Sequence, residues 1–250
     1  MPDGLLLALG QPGLALLLLT ALLAGVVYGF AGFGAALIFL PVGARILPPE
    51  AAVAAFSLAG LASVVTMLPR TWREADRVAT SRMILAALAA MPLGVWLLRQ
   101  ADPVPIRWAI CLLVAVTLLA VLAGWRMRLP PGPGSRLGLG AAAGAVGGAT
   151  GLLGPVVILV TLATGEGARQ MRANLASFLT VVNAALLPML WLQGALTARA
   201  AWIGLLLLPV YMAGTVLGAA LFRPRWERLY RGLAHGTVAV ALVAGLPLFG

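Results

Sequence analysis

Long apolar runs dominate this chain, and short polar segments separate them. Most runs reach the ~20 apolar residues that a helix needs to cross a bilayer, and none alternates apolar and polar residues as the strands of a membrane barrel do. Because a helix satisfies its own backbone hydrogen bonds in lipid, the runs predict membrane-spanning helices. We expect eight, at residues 14–47, 51–68, 83–98, 104–125, 137–164, 173–192, 200–222 and 233–249.

Two similar halves make up the chain. Gly29 and Gly32 in the first half return as Gly148 and Gly151 in the second, in each case 119 residues later. Between the halves, the segment RMRLPPGPGSR at residues 126–136 is rich in proline and glycine, which suits neither helix nor strand. We therefore predict an all-α, polytopic membrane protein of about eight transmembrane helices in two four-helix repeats, with a broken first helix in each repeat. The predicted boundaries are 1–128 for the first transmembrane repeat, 129–136 for the linker and 137–250 for the second transmembrane repeat.

The first apolar segment of each half is too long for one straight span and is interrupted by glycines. The interruptions read GFAGFGAALIFLP from Gly29 and GATGLLGP from Gly148. Glycine permits left-handed backbone, and proline suits the first turn of a helix. The pattern predicts a helix that ends near Gly148, a loop through Gly154 and a new helix from Pro155. The first half is expected to restart near Ala35.

A break repeated at the same depth in two halves is typical of a transporter's binding site. Free N–H groups at the start of a half-helix, together with the helix dipole, favour an anion there. The alternative is close packing, because small residues four apart let membrane helices touch. Gly140, Gly144 and Gly148 have that spacing. The candidate substrate-binding residues at the breaks are Gly29, Gly32, Gly34, Gly148, Gly151, Gly154 and Pro155.

Polar side chains occur in the span that follows each break. Ser57 in the second span, and Asn174 and Ser177 in the sixth, can donate hydrogen bonds to an oxyanion without carrying charge, so these three are candidate substrate-binding residues. The alternative is ordinary hydrogen bonding between helices. Arg172, just before Asn174, lies either at a substrate entrance or at the membrane interface as an ordinary cation. Other polar residues of these spans are Ser63, Thr66, Thr180 and Asn183.

The composition excludes a soluble domain. The chain is 62% hydrophobic and 10% charged, whereas soluble domains are about half apolar and about a quarter charged. All 17 basic residues are arginines, and because they are scattered singly between apolar runs we expect no nucleic-acid binding. With eight simple spans, each side of the membrane receives a similar number of arginines, so the positive-inside rule gives no orientation. Opposite insertion of the two halves would need an odd number of crossings per half, and the sequence leaves parallel and inverted repeats open.

Residues that carry chemistry are sparse. The seven carboxylates all lie outside the apolar cores, so no proton relay or cation site is expected within the membrane. Cys111 is the sole cysteine and His235 the sole histidine, which excludes an intrachain disulfide and a Cys/His metal cluster. No metalloprotease, hydrolase or nucleotide-binding motif is present. We therefore expect no enzyme, no metal and no cofactor, and the expected partners are a small anion and the lipid bilayer.

The two glycine motifs, and the segment GATGLLGPVVILVTLATGEGARQMRANLASFLTVVN that contains the second, resemble the sulfite exporter TauE/SafE family, also called the toluene-sulfonate uptake permease family. The resemblance covers nearly the whole chain. It implies a secondary transporter of the bacterial inner membrane that moves sulfite, an organosulfonate, sulfoacetate or a related anion. The residues by themselves indicate a transporter of a small anion. The alternative is a channel-like or structural membrane subunit whose glycines serve helix packing.

Overall fold

The structure, a computed structural model, describes residues 2–124, 132–161, 168–221 and 227–246. These residues form helices joined by short turns, without a strand among them. The predicted all-α class is therefore confirmed. The helices are α1 (Pro2–Leu9), α2 (Leu14–Ala31), α3 (Ala35–Ile46), α4 (Pro49–Gly60), α5 (Ala62–Thr66), α6 (Leu68–Glu74), α7 (Arg77–Gln100), α8 (Pro103–Leu122), α9 (Pro133–Thr150), α10 (Gly154–Thr161), α11 (Ala168–Leu192), α12 (Ala198–Leu221) and α13 (Glu227–Gly245).

Six segments of the described chain are long and apolar enough to cross a membrane. Two further apolar stretches, Ala35–Ile46 and His235–Gly245, are shorter. The protein is therefore polytopic, as predicted, and the helix set is compatible with the predicted eight-helix repeats. The six long segments are Leu14–Ala31, Pro49–Thr66, Arg77–Gln100, Pro103–Leu122, Arg169–Leu192 and Ala198–Leu221.

The predicted linker overlaps a helix. Residues 125–131 lie outside the described residues, but Pro133 already begins α9, so residues 133–136 of the predicted linker are helical. Proline lacks only an N–H group that the first turn of a helix does not use, which is why a Pro–Gly pair starts this helix. The starts of α9, α10 and α11 each follow the starts of α2, α3 and α4 by 119 residues.

The chain reverses direction at each predicted break. A Cβ placed on Gly34 would lie 3.4 Å from Val27, and one placed on Gly13 would lie 3.2 Å from Ile46, so α3 runs back along α2. In the second half, Leu153 packs on Gly147, and α10 likewise returns along α9. Each overlong apolar segment is therefore a helical hairpin, in which a full-length helix is followed by a shorter returning one.

The long helix of each hairpin packs against the other half of the chain. Helices α2 and α12 run parallel, because Gly25 lies against Tyr211 and Thr215, and Gly29 lies against Gly218. Helices α9 and α7 also run parallel, with Gly144 against Ala87 and Gly148 against Met91 and Gly94. Glycines at these positions let the backbones touch, as small residues do between membrane helices.

The two halves are inverted relative to each other. At the end of α2, the Arg172 side chain on α11 donates to the Gly29 carbonyl at 2.7 Å. Two residues further along α11, the Asn174 side chain accepts from the Asp76 backbone N–H at 2.8 Å. Arg136, in the first turn of α9, pairs with the Asp76 carboxylate at 3.3 Å. Helix α9 thus begins at the end of the bundle where α2 finishes. Because each hairpin adds one reversal, each half contributes the odd number of passes that inversion needs.

The arginines whose side chains the structure describes are unequally divided between the two ends of the bundle. The Glu74 end, where α2 and α6 finish and α7, α9 and α11 begin, holds seven of them. The Arg199 end, where Arg199 donates to Gln11 at 2.5 Å, holds four. Loops rich in arginine stay in the cytoplasm, so we expect the Glu74 end to face inward. The seven are Arg70, Arg73, Arg77, Arg82, Arg136, Arg169 and Arg172, and the four are Arg45, Arg99, Arg107 and Arg199.

Cysteine labelling tests the orientation. Replacing the buried Cys111 with alanine gives a background into which Arg73→Cys or Asp102→Cys can be introduced, both at exposed positions. We expect a membrane-impermeant maleimide applied outside intact cells to label Asp102→Cys and to reach Arg73→Cys only after the membrane is opened. Labelling both from outside, or the reverse pattern, would contradict this orientation.

Candidate functional site

Each break is built on a glycine in left-handed backbone. Gly32 ends α2 with φ +79° and its N–H donates to the Tyr28 carbonyl at 2.8 Å. Gly151 ends α9 with φ +75° and its N–H donates to the Gly147 carbonyl at 2.7 Å. A residue with a Cβ pays roughly 1–2 kcal/mol in this conformation, so the matched glycines are what allows both helices to stop inside the bundle.

The two breaks form the wall of one cavity of about 50 Å³. A water molecule needs roughly 10–15 Å³ on the same measure, so the cavity has room for a few waters or one small ion. The residues of the two turns and of the helix starts after them that line the cavity are Gly34, Ala35, Ala36, Leu37, Gly151, Leu153, Gly154 and Pro155. The other lining residues come from α2, α4, α5, α10, α11 and α12, and they are Tyr28, Phe56, Gly60, Ser63, Ile158, Leu179, Thr180, Asn183 and Tyr211.

The polar groups of the cavity wall are neutral hydroxyls and one amide. The Tyr28 and Thr180 hydroxyls are 2.8 Å apart, and the Tyr28 hydroxyl also donates to the Ala176 carbonyl at 3.2 Å. Asn183 donates to the Ser57 carbonyl at 3.1 Å, which leaves the amide a second N–H and its oxygen. Hydroxyl and amide groups of this kind donate to an oxyanion without adding charge to the membrane interior.

Aromatic rings lie beside the cavity. Phe56 stacks on Phe39 with ring centroids 5.0 Å apart, and it meets Tyr211 edge to face at 5.9 Å. Tyr28 lies 6.4 Å from Tyr211. These buried rings, together with Leu179 and other aliphatic side chains, make most of the wall apolar.

The starts of α3 and α10 are offset along the bundle. A Cβ on Gly151 would lie 2.8 Å from Leu40, in the middle of α3, so α10 begins beside the middle of that helix. Because α3 and α10 run in opposite directions, their free N–H groups open toward opposite ends of the bundle. The two helix starts therefore line one cavity at different depths.

Two of the predicted site glycines lie at helix contacts. A Cβ on Gly29 would collide with the Thr215 carbonyl, and one on Gly148 would lie 2.6 Å from the Met91 carbonyl. Neither lines the cavity, and both match the close-packing alternative. Gly34, Gly151, Gly154 and Pro155, by contrast, all line it.

The remaining predicted residues do not line the cavity. Ser57 is buried, and its hydroxyl has no hydrogen-bond partner within the described ranges. Asn174 bonds the start of α7, and Ser177 donates to the Thr71 hydroxyl at 3.1 Å, so both connect helices. Arg172 bonds the last turn of α2, where a cation complements the helix dipole. Gly32 has no room for a Cβ, which would lie 2.9 Å from the Arg172 side chain.

The Glu74 end of the bundle is tied together by ion pairs between the halves. Arg169 donates to both carboxylate oxygens of Glu74, at 2.7 and 3.0 Å, and this holds the pKa of Glu74 below its usual range. The Ala79 backbone N–H and the Arg136 side chain lower the pKa of Asp76. The Arg169 side chain is exposed, so we assign the pair an orienting role and little stabilisation.

Sequence reasoning left Tyr28 and Tyr211 out of the site and named Thr180 and Asn183 only among the other polar residues of the spans. Tyr28 directly precedes the first glycine motif, and a tyrosine in the middle of an apolar run needs a buried partner for its hydroxyl. That requirement could have marked Tyr28 as a candidate site residue from the sequence. The partner, Thr180, lies 152 residues away, so only the fold identifies it.

The family model of the sulfite exporter TauE/SafE matches residues 17–245, from the first turn of α2 to the end of α13. No curated protein and no solved structure matches the chain. On the extent of the family match, the chain belongs to the sulfite exporter TauE/SafE family.

Proposed function

We propose that the protein is a secondary transporter that moves a small anion, such as sulfite, an organosulfonate or a related carboxylate, across the bacterial inner membrane. Family membership supports a transporter and gives no support to an enzyme. The observation that carries the proposal is the single cavity shared by the two breaks. Irregular backbone at membrane depth is tolerated where it lines such a cavity.

An anion suits this cavity better than a cation. Every polar side chain on the wall can donate a hydrogen bond, and no carboxylate lines the described cavity. Among the described side chains, the carboxylates of Glu50, Glu74, Asp76 and Asp102 lie in loops or in first or last turns of helices. A cation at this depth would need such an acceptor, because desolvating an unpaired charge is costly.

The inverted halves supply the means of alternating access. Two repeats of opposite orientation around a central site can open it first to one face of the membrane and then to the other. We take residues 1–128 and 137–250 as the two repeats, with the Glu74 end in the cytoplasm. The hydrogen bonds and ion pairs between α11 and the helices of the first half are the contacts that would have to change.

A channel-like or structural subunit remains the alternative. The packed glycines of α2 and α9 agree with it, since they serve helix contact. It does not account for a cavity with hydroxyl and amide groups between the two breaks, because a purely structural core would fill that space.

A flux measurement with the purified protein in liposomes tests the proposal. We expect uptake of radiolabelled methanesulfonate above the rate of protein-free vesicles and no uptake of a cationic amine of similar size. The reason is the donor-rich, carboxylate-free wall. Transport of the amine in preference to the sulfonate would contradict the anion reading.

Asn183→Asp places a carboxylate on the cavity wall with almost no change in volume. We expect uptake of methanesulfonate to fall at least about tenfold at neutral pH, because one added repulsion of about 1.4 kcal/mol or more suffices for that factor. Asn174→Asp is the matched control, since it makes the same change on the same helix outside the cavity. An equal loss of uptake in the two variants would show that the effect does not depend on placing the carboxylate on the cavity wall.

Gly151→Ala forces a Cβ into left-handed backbone at the second break. We expect a loss of stability of roughly 1–2 kcal/mol and a loss of uptake, measured by thermal unfolding in detergent and by flux. Gly138→Ala, in the same helix α9 with nothing within 4 Å of its Cβ, is the control. An unchanged uptake in Gly151→Ala would remove this turn from the transport mechanism.

A further inference from the structure

The wall of the cavity carries dipoles and no formal charge. Five of its described residues are polar, and all five are neutral side chains at physiological pH. The two phenols are the titratable groups among them, and both are buried. Whatever charge the substrate carries therefore has no counter-ion in contact with it on the described wall. The five polar residues are Tyr28, Ser63, Thr180, Asn183 and Tyr211.

One cation lies close behind this wall. The Arg172 guanidinium donates to the carbonyl of Gly29, the residue after Tyr28, at 2.7 Å. Arg70 and Arg169 both lie against the Glu74 carboxylate, and their side chains are 87% and 81% exposed, so this carboxylate and solvent screen their charges. The positive field that reaches the cavity from this side is therefore of the order of a single charge.

A cavity with such a wall favours an ion that carries one charge over an ion that carries two. The cost of taking an ion out of water rises with the square of its charge, so a second charge raises it fourfold. The stabilisation that the ion gains from fixed dipoles and one cation rises only in proportion to its charge, so a second charge doubles it. A site of neutral donors whose stabilisation just offsets the desolvation cost of a monoanion falls far short of that cost for a dianion. Binding of a dianion is therefore strongly disfavoured.

We infer that the cavity accepts small oxyanions with one negative charge and rejects those with two, an inference that rests on the proposed function. The class accepted includes sulfonates with a short apolar group, which Phe56, Leu179 and Ile158 can contact, and hydrogensulfite. The class rejected includes sulfate, the sulfite dianion and sulfoacetate. The cavity volume of about 50 Å³ limits the apolar group to a few carbon atoms.

Flux in liposomes at two pH values separates the charge states. The probes are methanesulfonate, which keeps one charge, sulfate, which keeps two, and sulfite, which passes from hydrogensulfite to the dianion near neutral pH. We expect methanesulfonate flux to be independent of pH, sulfite flux to fall with the hydrogensulfite fraction as pH rises, and sulfate flux to be more than about tenfold below that of methanesulfonate. Protein-free vesicles correct for leakage of neutral sulfur dioxide.

The outcomes distinguish this inference from the proposed function. Sulfate uptake comparable with that of methanesulfonate, or sulfite flux that rises with pH while methanesulfonate flux stays constant, would overturn the inference alone. Absence of flux for every anion would overturn both.

A variant that adds a charge to the cavity wall tests the same inference by changing the protein instead of the substrate. Leu179→Arg places a cation on the wall, and Leu179→Met, which has a long uncharged side chain, is its control. We expect Leu179→Arg to raise the ratio of sulfate to methanesulfonate flux at least about tenfold over both the control and the wild type. An unchanged ratio in a variant that still transports methanesulfonate would overturn the inference, and the wild-type panel decides it if the variant does not fold.

Discussion

Backbone groups at the two chain reversals have to be enclosed by protein, because lipid offers them no hydrogen-bond partners. The turns after α2 and α9 break the helical ladder inside an apolar bundle, at Gly32 and Gly151. Each long hairpin helix packs backbone to backbone against a helix of the opposite half, α2 on α12 and α9 on α7. The helices of one half alone do not enclose the backbone groups of its hairpin turn, so each half depends on the other.

This mutual enclosure explains why one glycine motif holds residues with different tasks. Gly29 is helical and has to be small because the backbone of α12 passes over it, whereas Gly32, three residues later, has to adopt left-handed backbone. The second half repeats the division with Gly148 and Gly151. Packing and chain reversal are therefore not competing explanations of the motif, because different glycines of the motif perform the two tasks. The site that results is defined by the turns, and the packed glycines hold the turns in place.

The sequence was sufficient for the features that depend on local chemistry. Apolar run length predicted membrane helices, and paired glycines predicted the breaks, with α3 starting at Ala35 as expected. The reversal of direction at Gly34 was not predictable, because a glycine turn permits either a kink or a hairpin and contacts with distant helices decide between them. The same holds for Asn174, whose amide N–H groups could donate to an oxyanion but whose amide oxygen accepts from the Asp76 backbone N–H, 98 residues away. The positive-inside rule was indecisive for a related reason, since counting a hairpin as one pass or as two exchanges every later loop between the two sides.

The two halves share a backbone plan but differ in side chains where they meet. In the first half, the helix carries Tyr28 and the turn carries Gly34, whereas at the positions 119 residues later the helix carries Gly147 and the turn carries Leu153. Leu153 packs directly on Gly147, so the second half has no room for a tyrosine there. The first hairpin consequently lines the cavity with the phenol of Tyr28, and the turn of the second hairpin lines it with the aliphatic side chain of Leu153. An inverted pair of hairpins thus encloses one cavity but contributes different side chains to its wall.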